Sequence, residues 1–375
     1  MSQQRKKRVT LRDVALLANV SEKTVSNVIN DWPFVSDQTR EHVKRILVET
    51  GYRPSHIARS LVTGRTRTIG IIVPDISNPF FSSAFRGCED KLSVHDYSVF
   101  LCNTDENLEK EKYYLESLVN RGVDGLILWG SRADTAMLHT YVGDDVPIVA
   151  VDGNTQVGPA RFTAIQFDNL GGAERIVEHL INSGRRRIAY LSGALHRLPA
   201  QDRLRGYRRA LDAANLPFDP TLVEEGSPTI AGGYTAMLKL LQRSPEQPRP
   251  DGLFCYNDLM AIGAMAALEE MNLKIPEDLA VVGFDDIAPA ALVTPMLTTI
   301  RIPQYELGQF AVEELIQRLD DPELPARVID YPLELKIRHS CGTRRISSEE
   351  RRAMLRQLAT SAAADLPVEH VVGYK

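Results

Sequence analysis

Two sets of side chains in this sequence carry groups suited to recognition. The first lies in Ser21-Glu22-Lys23-Thr24-Val25-Ser26-Asn27-Val28-Ile29-Asn30. Val25, Val28 and Ile29 fall at i, i+3, i+4 and predict one buried helical face. Glu22, Lys23, Ser26 and Asn27 are then left pointing outward. A carboxylate, an ammonium, a hydroxyl and an amide on one exposed helix are the donors and acceptors that read base edges in a DNA major groove. In the second set, Asp152, Asn257 and Asp285 each follow an apolar run, and Arg203 opens a helix after the 192–201 loop. Carboxylates, an amide and a guanidinium fork suit a hydroxyl-rich small ligand. Phe80 and Phe81 offer rings against which a sugar or base can stack. Other readings stay open: an Asp or Asn after a strand also caps a helix, and adjacent phenylalanines also fill cores. Asp168 and Asp286 read as structural.

The elements that must hold the first set are short. Thr10 and Asp13 have capping-box spacing, after which Val14, Leu17 and Ala18 predict one helical face. Ala18-Asn19-Val20 predicts a tight turn, because Asn tolerates the left-handed conformation. Ser21 can cap the second helix. A third is expected from about Ser36, burying Val43, Ile46 and Leu47 and stopping at Gly51. Two short helices joined by a tight turn and braced by a third describe a helix-turn-helix. A plain three-helix bundle with a polar face fits the same periodicity.

Charge separates this head from the rest. Residues 1–67 hold 13 Lys and Arg against 6 Asp and Glu, so the remainder carries 31 basic and 43 acidic side chains and the whole chain sums to −5. A basic head facing an acidic body points to a polyanion as the head's partner.

The second set needs a larger scaffold. Apolar runs at 69–73, 98–102, 125–129, 146–151, 188–192, 252–256 and 279–284 predict buried parallel strands. Helical patterns such as 109–121, 169–183, 202–214 and 258–271 lie between them. The alternation predicts a doubly wound α/β body, with too many strands for one modest sheet, hence two similar subdomains.

With those residues in view, the segment from Val9 to Asn30, continued by Val35-Ser36-Asp37-Gln38-Thr39-Arg40 and Gly51-Tyr52-Arg53-Pro54, closely resembles the head of lac repressor (LacI/GalR) family regulators. Asn19 departs from the usual Gly. The body resembles the family's periplasmic-binding-protein-like core through Ile72-Val73-Pro74-Asp75, Asn78-Pro79-Phe80-Phe81, Arg203-Leu204-Arg205-Gly206-Tyr207, Asn257-Asp258 and Val282-Gly283-Phe284-Asp285-Asp286. The resemblance spans about residues 9–342. It implies an α plus α/β chain: a helix-turn-helix head over 1–54, a hinge helix and linker over 55–67, and a core over 68–345. The core's two parallel-sheet subdomains would take about 68–165 with 300–330, and about 166–299 with 331–345.

The resemblance further implies that Glu22, Lys23 and Asn27 read bases. Thr10, Leu11, Ser21, Thr24, Ser26, Asn30 and Thr39 would position the head on phosphates. Residues 55–64 hold about two helical turns, too few to persist alone in water. In the family such a segment, here with Ser55, Ala58 and Leu61, folds on DNA beside its copy from a second subunit, and a leucine wedge at the Leu61 position kinks the duplex. The ligand would lie between the subdomains, contacting Phe80, Phe81, Asp152, Arg203, Asn257 and Asp285. The expected protein is a homodimeric transcriptional regulator of double-stranded operator DNA, most simply a repressor, controlled by a sugar or related metabolite.

Other classes fit less well. A transport solute-binding protein would carry a leader and no helix-turn-helix, whereas Arg5-Lys6-Lys7-Arg8 is followed by no apolar segment. An enzyme would need a nucleophile elbow, a zinc motif, a phosphate loop or a dinucleotide fingerprint, and none is present. No cofactor or metal is expected, nor a membrane span, since no run of about 18 apolar residues occurs. Cys88, Cys102, Cys255 and Cys341 lack metal-ligand spacing and read as buried thiols of a cytoplasmic protein. Residues 346–375 lie beyond the resemblance and lack sustained leucine heptads, which favours a dimer over a tetramer.

Overall fold

A computed structural model describes residues 9–52, 64–154, 161–243 and 248–343. The chain divides into two compact units, 1–67 and 68–375.

In the first unit, Thr10 and Asp13 form the capping box of α1 (Leu11–Leu17): the Thr10 Oγ1 accepts the Asp13 N–H, and the Asp13 carboxylate accepts the Thr10 N–H at 2.9 Å. Asn19 turns the chain at φ 50°. Ser21 then caps α2 (Glu22–Ile29), its hydroxyl accepting the Thr24 N–H at 3.0 Å. Ser36 caps α3 (Asp37–Thr50), which Gly51 ends at φ 61°. Val14, Ala15, Ala18, Val25, Val28 and Val43 make the core, with Ile29, Ile46 and Leu47 half-buried around it. The expectation for Leu17 fails, because it is 61% exposed and Ala15 is buried instead. The inward face of α1 follows 11, 14, 15, 18, so position 17 lies well off its centre. Size favours Leu17 for the core, but helical geometry favours Ala15, and geometry decides.

The second unit contains two six-stranded sheets. One has the order β11-β5-β4-β3-β1-β2, with β1 (Thr68–Val73), β2 (Ser98–Asn103), β3 (Gly125–Trp129), β4 (Ile148–Val151), β5 (Phe162–Phe167) and β11 (Arg327–Tyr331). The other has the order β12-β10-β9-β8-β6-β7, with β6 (Ile188–Ser192), β7 (Val223–Glu225), β8 (Gly252–Cys255), β9 (Ala280–Asp285), β10 (Thr298–Arg301) and β12 (Glu334–Lys336). All pairings are parallel except β10 with β12. This is the two-subdomain, parallel-sheet core that the resemblance implied. The chain passes between the sheets after β5, after β10 and after β11.

The helices that bear on function are α4 (Pro79–Val94), α5 (Leu108–Asn120), α6 (Thr135–Tyr141), α7 (Asn169–Asn182), α8 (Leu198–Ala213), α9 (Ile230–Arg243), α10 (Asp258–Glu270) and α11 (Gln304–Asp320). The α7 and α8 pair packs closely because Gly206 carries no side chain: a Cβ there would stand 2.2 Å from the Leu170 carbonyl oxygen. That approach brings Arg203 of α8 to Asn169 at the start of α7. The strand β10 lacks an apolar run, yet Thr298 and Thr299 are wholly buried. Their hydroxyls are satisfied inside, Thr299 donating to the Asp258 carboxylate at 2.6 Å and Thr298 to the Cys341 sulfur at 3.1 Å. Cys88, Cys255 and Cys341 are buried, while Cys102 on the edge strand β2 is only half-buried. No helix among the described residues is long and apolar enough to cross a membrane.

Candidate functional site

The α2 helix holds its two apolar valines inward, which fixes what faces out. Glu22 and Lys23 are exposed, Ser26 and Asn27 half-buried, and Asn30 exposed at the C-cap. Ser21 and Thr24 share a hydroxyl hydrogen bond of 2.8 Å, and Thr39 makes the same bond to Ser36. Thr10 donates its hydroxyl to Asp13 at 2.7 Å, and Leu11 is half-buried at the edge of the core. Among the described residues Glu22 and Lys23 have no ion-pair partner, so both termini are open to a ligand. Ser55, Ala58 and Leu61 lie outside the described residues, as do the 346–375 tail and any helix within it.

In the second unit, a cavity of about 350 Å³ lies where the strands of both sheets end. In open parallel sheets this is where ligands bind, because strand C-termini and helix N-termini leave a crevice there. Phe80, Phe81, Asp152, Arg203, Asn257 and Asp285 all line this one cavity. They come from α4, the ends of β4, β8 and β9, and α8, so only the tertiary fold assembles them.

Arg203 is the hub and is 3% exposed. Its Nε donates to Asn169 Oδ1 at 3.0 Å, and its Nη1 donates to the Tyr256 carbonyl. Its guanidinium lies over the rings of Phe284 and Tyr256, 3.7 and 4.5 Å from their centroids. Asn169 in turn donates from Nδ2 to Asp152 Oδ1 at 2.8 Å. The side chain of Asn169 thereby ties a carboxyl at the end of the first sheet to an arginine of the second. Asp152 and Asp285 sit at φ 50° and φ 115°, conformations costly for a side-chain-bearing residue.

Burial dominates the electrostatics. It pushes the Asp285 carboxyl up to about 7, against the attraction of Arg203 and with a further push from Asp152. It also raises Asp152, opposed by Arg203 and by the Asn169 hydrogen bond. Behind them Asp258 is fully buried and raised well above the usual carboxylate range, first by desolvation and then by Asp285.

The remaining lining residues divide between structure and cavity. Asn257 is the N-cap of α10: its Oδ1 accepts the Met260 N–H at 2.9 Å and its Nδ2 donates to the Pro228 carbonyl at 3.1 Å. Phe80 is 6% exposed and packs edge-on against Trp129, so most of it is core. Phe81 is half-buried and turns an edge to Phe80 at 5.0 Å. As expected of structural groups, Asp168 caps α7 and Asp286 pairs with Arg338 at 2.6 Å.

Sequence reasoning missed Asn169, Arg197, Trp129 and Tyr256. Pro199 in the first helical turn marks a helix start near Arg197, but no local signal shows that this start faces the cavity. No His or Cys is among the residues lining the cavity. Among the described residues no group of three His, Cys, Asp or Glu side chains could hold a metal ion.

Residues 10–55 match the bacterial regulatory proteins of the lacI family, and residues 177–341 match a periplasmic binding protein-like domain. The chain is 37% identical over 338 residues to the HTH-type transcriptional repressor PurR of Aliivibrio fischeri, spanning 89% of this chain and 99% of that protein. It is 38% identical over 318 residues to the ribose operon repressor of Escherichia coli K12, spanning 84% and 94%. Among solved structures, the lac repressor dimer bound to operator and the anti-inducer ONPF superposes with a TM-score of 0.78 at 28% identity, over 89% of this chain and 99% of that one. Match length, identity and the shared two-unit architecture agree: this chain belongs to the lacI family of bacterial regulatory proteins.

Proposed function

We propose that this protein is a transcriptional repressor that binds an inverted-repeat operator as a homodimer and is switched by a small, uncharged, hydroxyl-rich ligand, a sugar or a close relative, in the cavity between its two sheets. The observation that carries this reading is the lining of the cavity. Asp75, Asp105, Glu106, Asp152 and Asp285 supply five carboxyls against the guanidiniums of Arg197 and Arg203. Arg203 already satisfies Asn169 and Tyr256. A surplus of acceptors beside aromatic faces suits ligand hydroxyls and opposes phosphate. A volume of about 350 Å³ is at the small end of ligand pockets.

Two further features support the assembly. One helix-turn-helix reads only a few base pairs, so two heads on a twofold axis read inverted half-sites. The edge strand β2 exposes Phe100 and Leu101, with Val94 exposed four residues before the strand begins. A bare apolar sheet edge of this kind invites cover by another chain. The repressing action is carried over from the names of the relatives. The reading places the protein in the cytoplasm, where operator DNA and metabolites meet.

Selection from random duplex DNA, followed by anisotropy titration with and without sugars, tests the whole reading. An inverted-repeat consensus whose affinity shifts with a sugar supports it. A motif without inverted symmetry, or an affinity blind to every sugar tried, counts against the dimer and the ligand respectively.

A further inference from the structure

Arg197 belongs by position to the subdomain of the second sheet, here the second lobe, as the N-cap of α8, but its guanidinium reaches that of the first sheet, the first lobe. Nη2 donates to the Gly130 carbonyl at 2.6 Å, just beyond the end of β3. Around that contact is a small recess walled by Pro74, Thr104, Trp129, Ser131 and Arg132, all from first-lobe elements. Gly130 stands at φ 52°, and a Cβ there would lie 3.1 Å from Pro74 Cγ and 3.7 Å from Arg197 Nη2. The backbone is therefore bare where the arginine passes. The partner is a main-chain carbonyl, whose place is fixed by β3. The bond can form only when the lobes stand at this spacing. The Asn169–Asp152 contact sits beside a chain crossing, where covalent connection already limits motion. Arg197 and Gly130 are remote in sequence from all three crossings. Their bond joins the lobes where the chain does not.

We propose that Arg197 is a latch. It holds the two lobes together across the cavity in the absence of ligand, and so sets the basal operator affinity. The second half of this statement rests on the proposed function; the first does not. Arg197 also lines the main cavity, so a ligand that engages its guanidinium competes with Gly130 for the same donor. A ligand shifts an equilibrium only by its differential affinity for the two states. The latch fixes the starting point from which that shift is made.

The test uses full-length Arg197→Ala and Arg197→Lys proteins, without ligand, checked first for an unaltered thermal transition. Amide hydrogen exchange is followed at residues 130–132 and in the first turn of α8, and affinity is measured on the selected operator. Arg197→Ala should speed exchange on both sides of the cavity and change basal operator affinity at least about fivefold, the lower end of typical coupling between sites. Arg197→Lys, which keeps the charge but not the planar fork, should fall between. Wild-type exchange in Arg197→Ala overturns the latch. Faster exchange with unchanged operator affinity overturns its regulatory role while leaving the mechanical one. Wild-type exchange and affinity together with weakened D-ribose binding would make Arg197 a ligand contact only.

Discussion

Arg203 Nη2 stands 3.9 Å from the Asp285 carboxylate, beyond hydrogen-bond distance, while the same guanidinium lies over the Phe284 ring at 3.7 Å. The pair is close enough to feel its charges and too far apart to satisfy them. Asp285 is therefore left with lone pairs facing the cavity, and Arg203 is held by other partners. An acceptor kept open beside a fixed cation is a site prepared for a hydroxyl that would fill the gap.

Removing that cation should be costly in two ways. In Arg203→Ala, Asp285 and Asp152 lose a guanidinium that attracts both, and Asn169 and the Tyr256 carbonyl lose a donor. Breaking a buried ionic cluster from one side typically costs about 3–5 kcal/mol. Urea unfolding should show a loss near the low end, since protonation of the acids relieves part of it. Arg203→Lys should not restore ligand response, because an ammonium lacks the planar fork that reaches Asn169 and the Tyr256 carbonyl while lying over the Phe284 ring. A full response from the lysine variant would remove the fork from the argument.

Stability should depend on pH through Asp285. Its folded value of about 7 lies above the ordinary carboxylate value, so the native state binds this proton more tightly than the unfolded chain. The contribution is complete below about pH 4 and is lost as pH rises through about 7. Asp285→Asn cannot ionise and should lose less stability between pH 5 and pH 8 than the wild type. It should also lose ligand response. Denaturant midpoints at the two pH values decide it: an equal drop in both proteins would place the ionisation elsewhere.

The head was legible in sequence at nearly every step, because its signals are local. Thr10, Ser21 and Ser36 cap the helices they precede, Asn19 turns and Gly51 stops. The core was legible as alternating strands and helices wherever a strand was an apolar run. It failed at β5, where Thr163 and Gln166 break the apolar run, at β10, whose buried threonines are hydrogen-bonded, and at the edge strands β7, β11 and β12, which are short or largely exposed. The six cavity residues were each visible as polar or aromatic groups at element ends. What joins them was not. Asn169 matters because Gly206 lets two helices touch, and Arg197 because β3 presents a bare carbonyl. Neither relation has a local signature.

The turn at Asn19 gives a clean local test. At φ 50° the side chain must tolerate the left-handed region, which costs most residues roughly 1–2 kcal/mol. Asn19→Ala should lower the stability of the head by about 1 kcal/mol, read from its thermal transition. Asn19→Gly should leave it within a few tenths. Equal effects from both would mean that the Asn side chain, not the backbone conformation, holds the turn.

Were α2 the base-reading helix, specific and general binding would split. Lys23 and Asn27 lie on the outward face of a helix whose valines are buried. Lys23→Ala or Asn27→Ala should cost about 1–3 kcal/mol on the selected operator and much less on random DNA, with preference relaxed at one position of each half-site. Equal losses on both DNAs would make the residue a phosphate contact.

Asn169 offers the sharpest chemical discrimination, because an amide does there what no other side chain of its size can. It donates to Asp152 and accepts from Arg203 at once. In Asn169→Ala both partners lose a hydrogen bond, but no charge is added. Ligand affinity should weaken, and response should fall with it, because the link between the lobes runs through this amide. In Asn169→Asp the acceptor toward Arg203 survives, but the donor toward Asp152 is replaced by a second carboxylate. The isosteric change should therefore be the more damaging at neutral pH. It should recover as pH falls, since Asp152 is already raised by burial and a neighbouring carboxylate raises it further. One shared proton would then rebuild the missing donor. Ligand titration of both variants at pH 5.5 and pH 8 reads this directly. If Asn169→Asp stayed at or above Asn169→Ala at pH 8, the amide would be a spacer, and the coupling between Asp152 and Arg203 would have to run through the bound ligand instead.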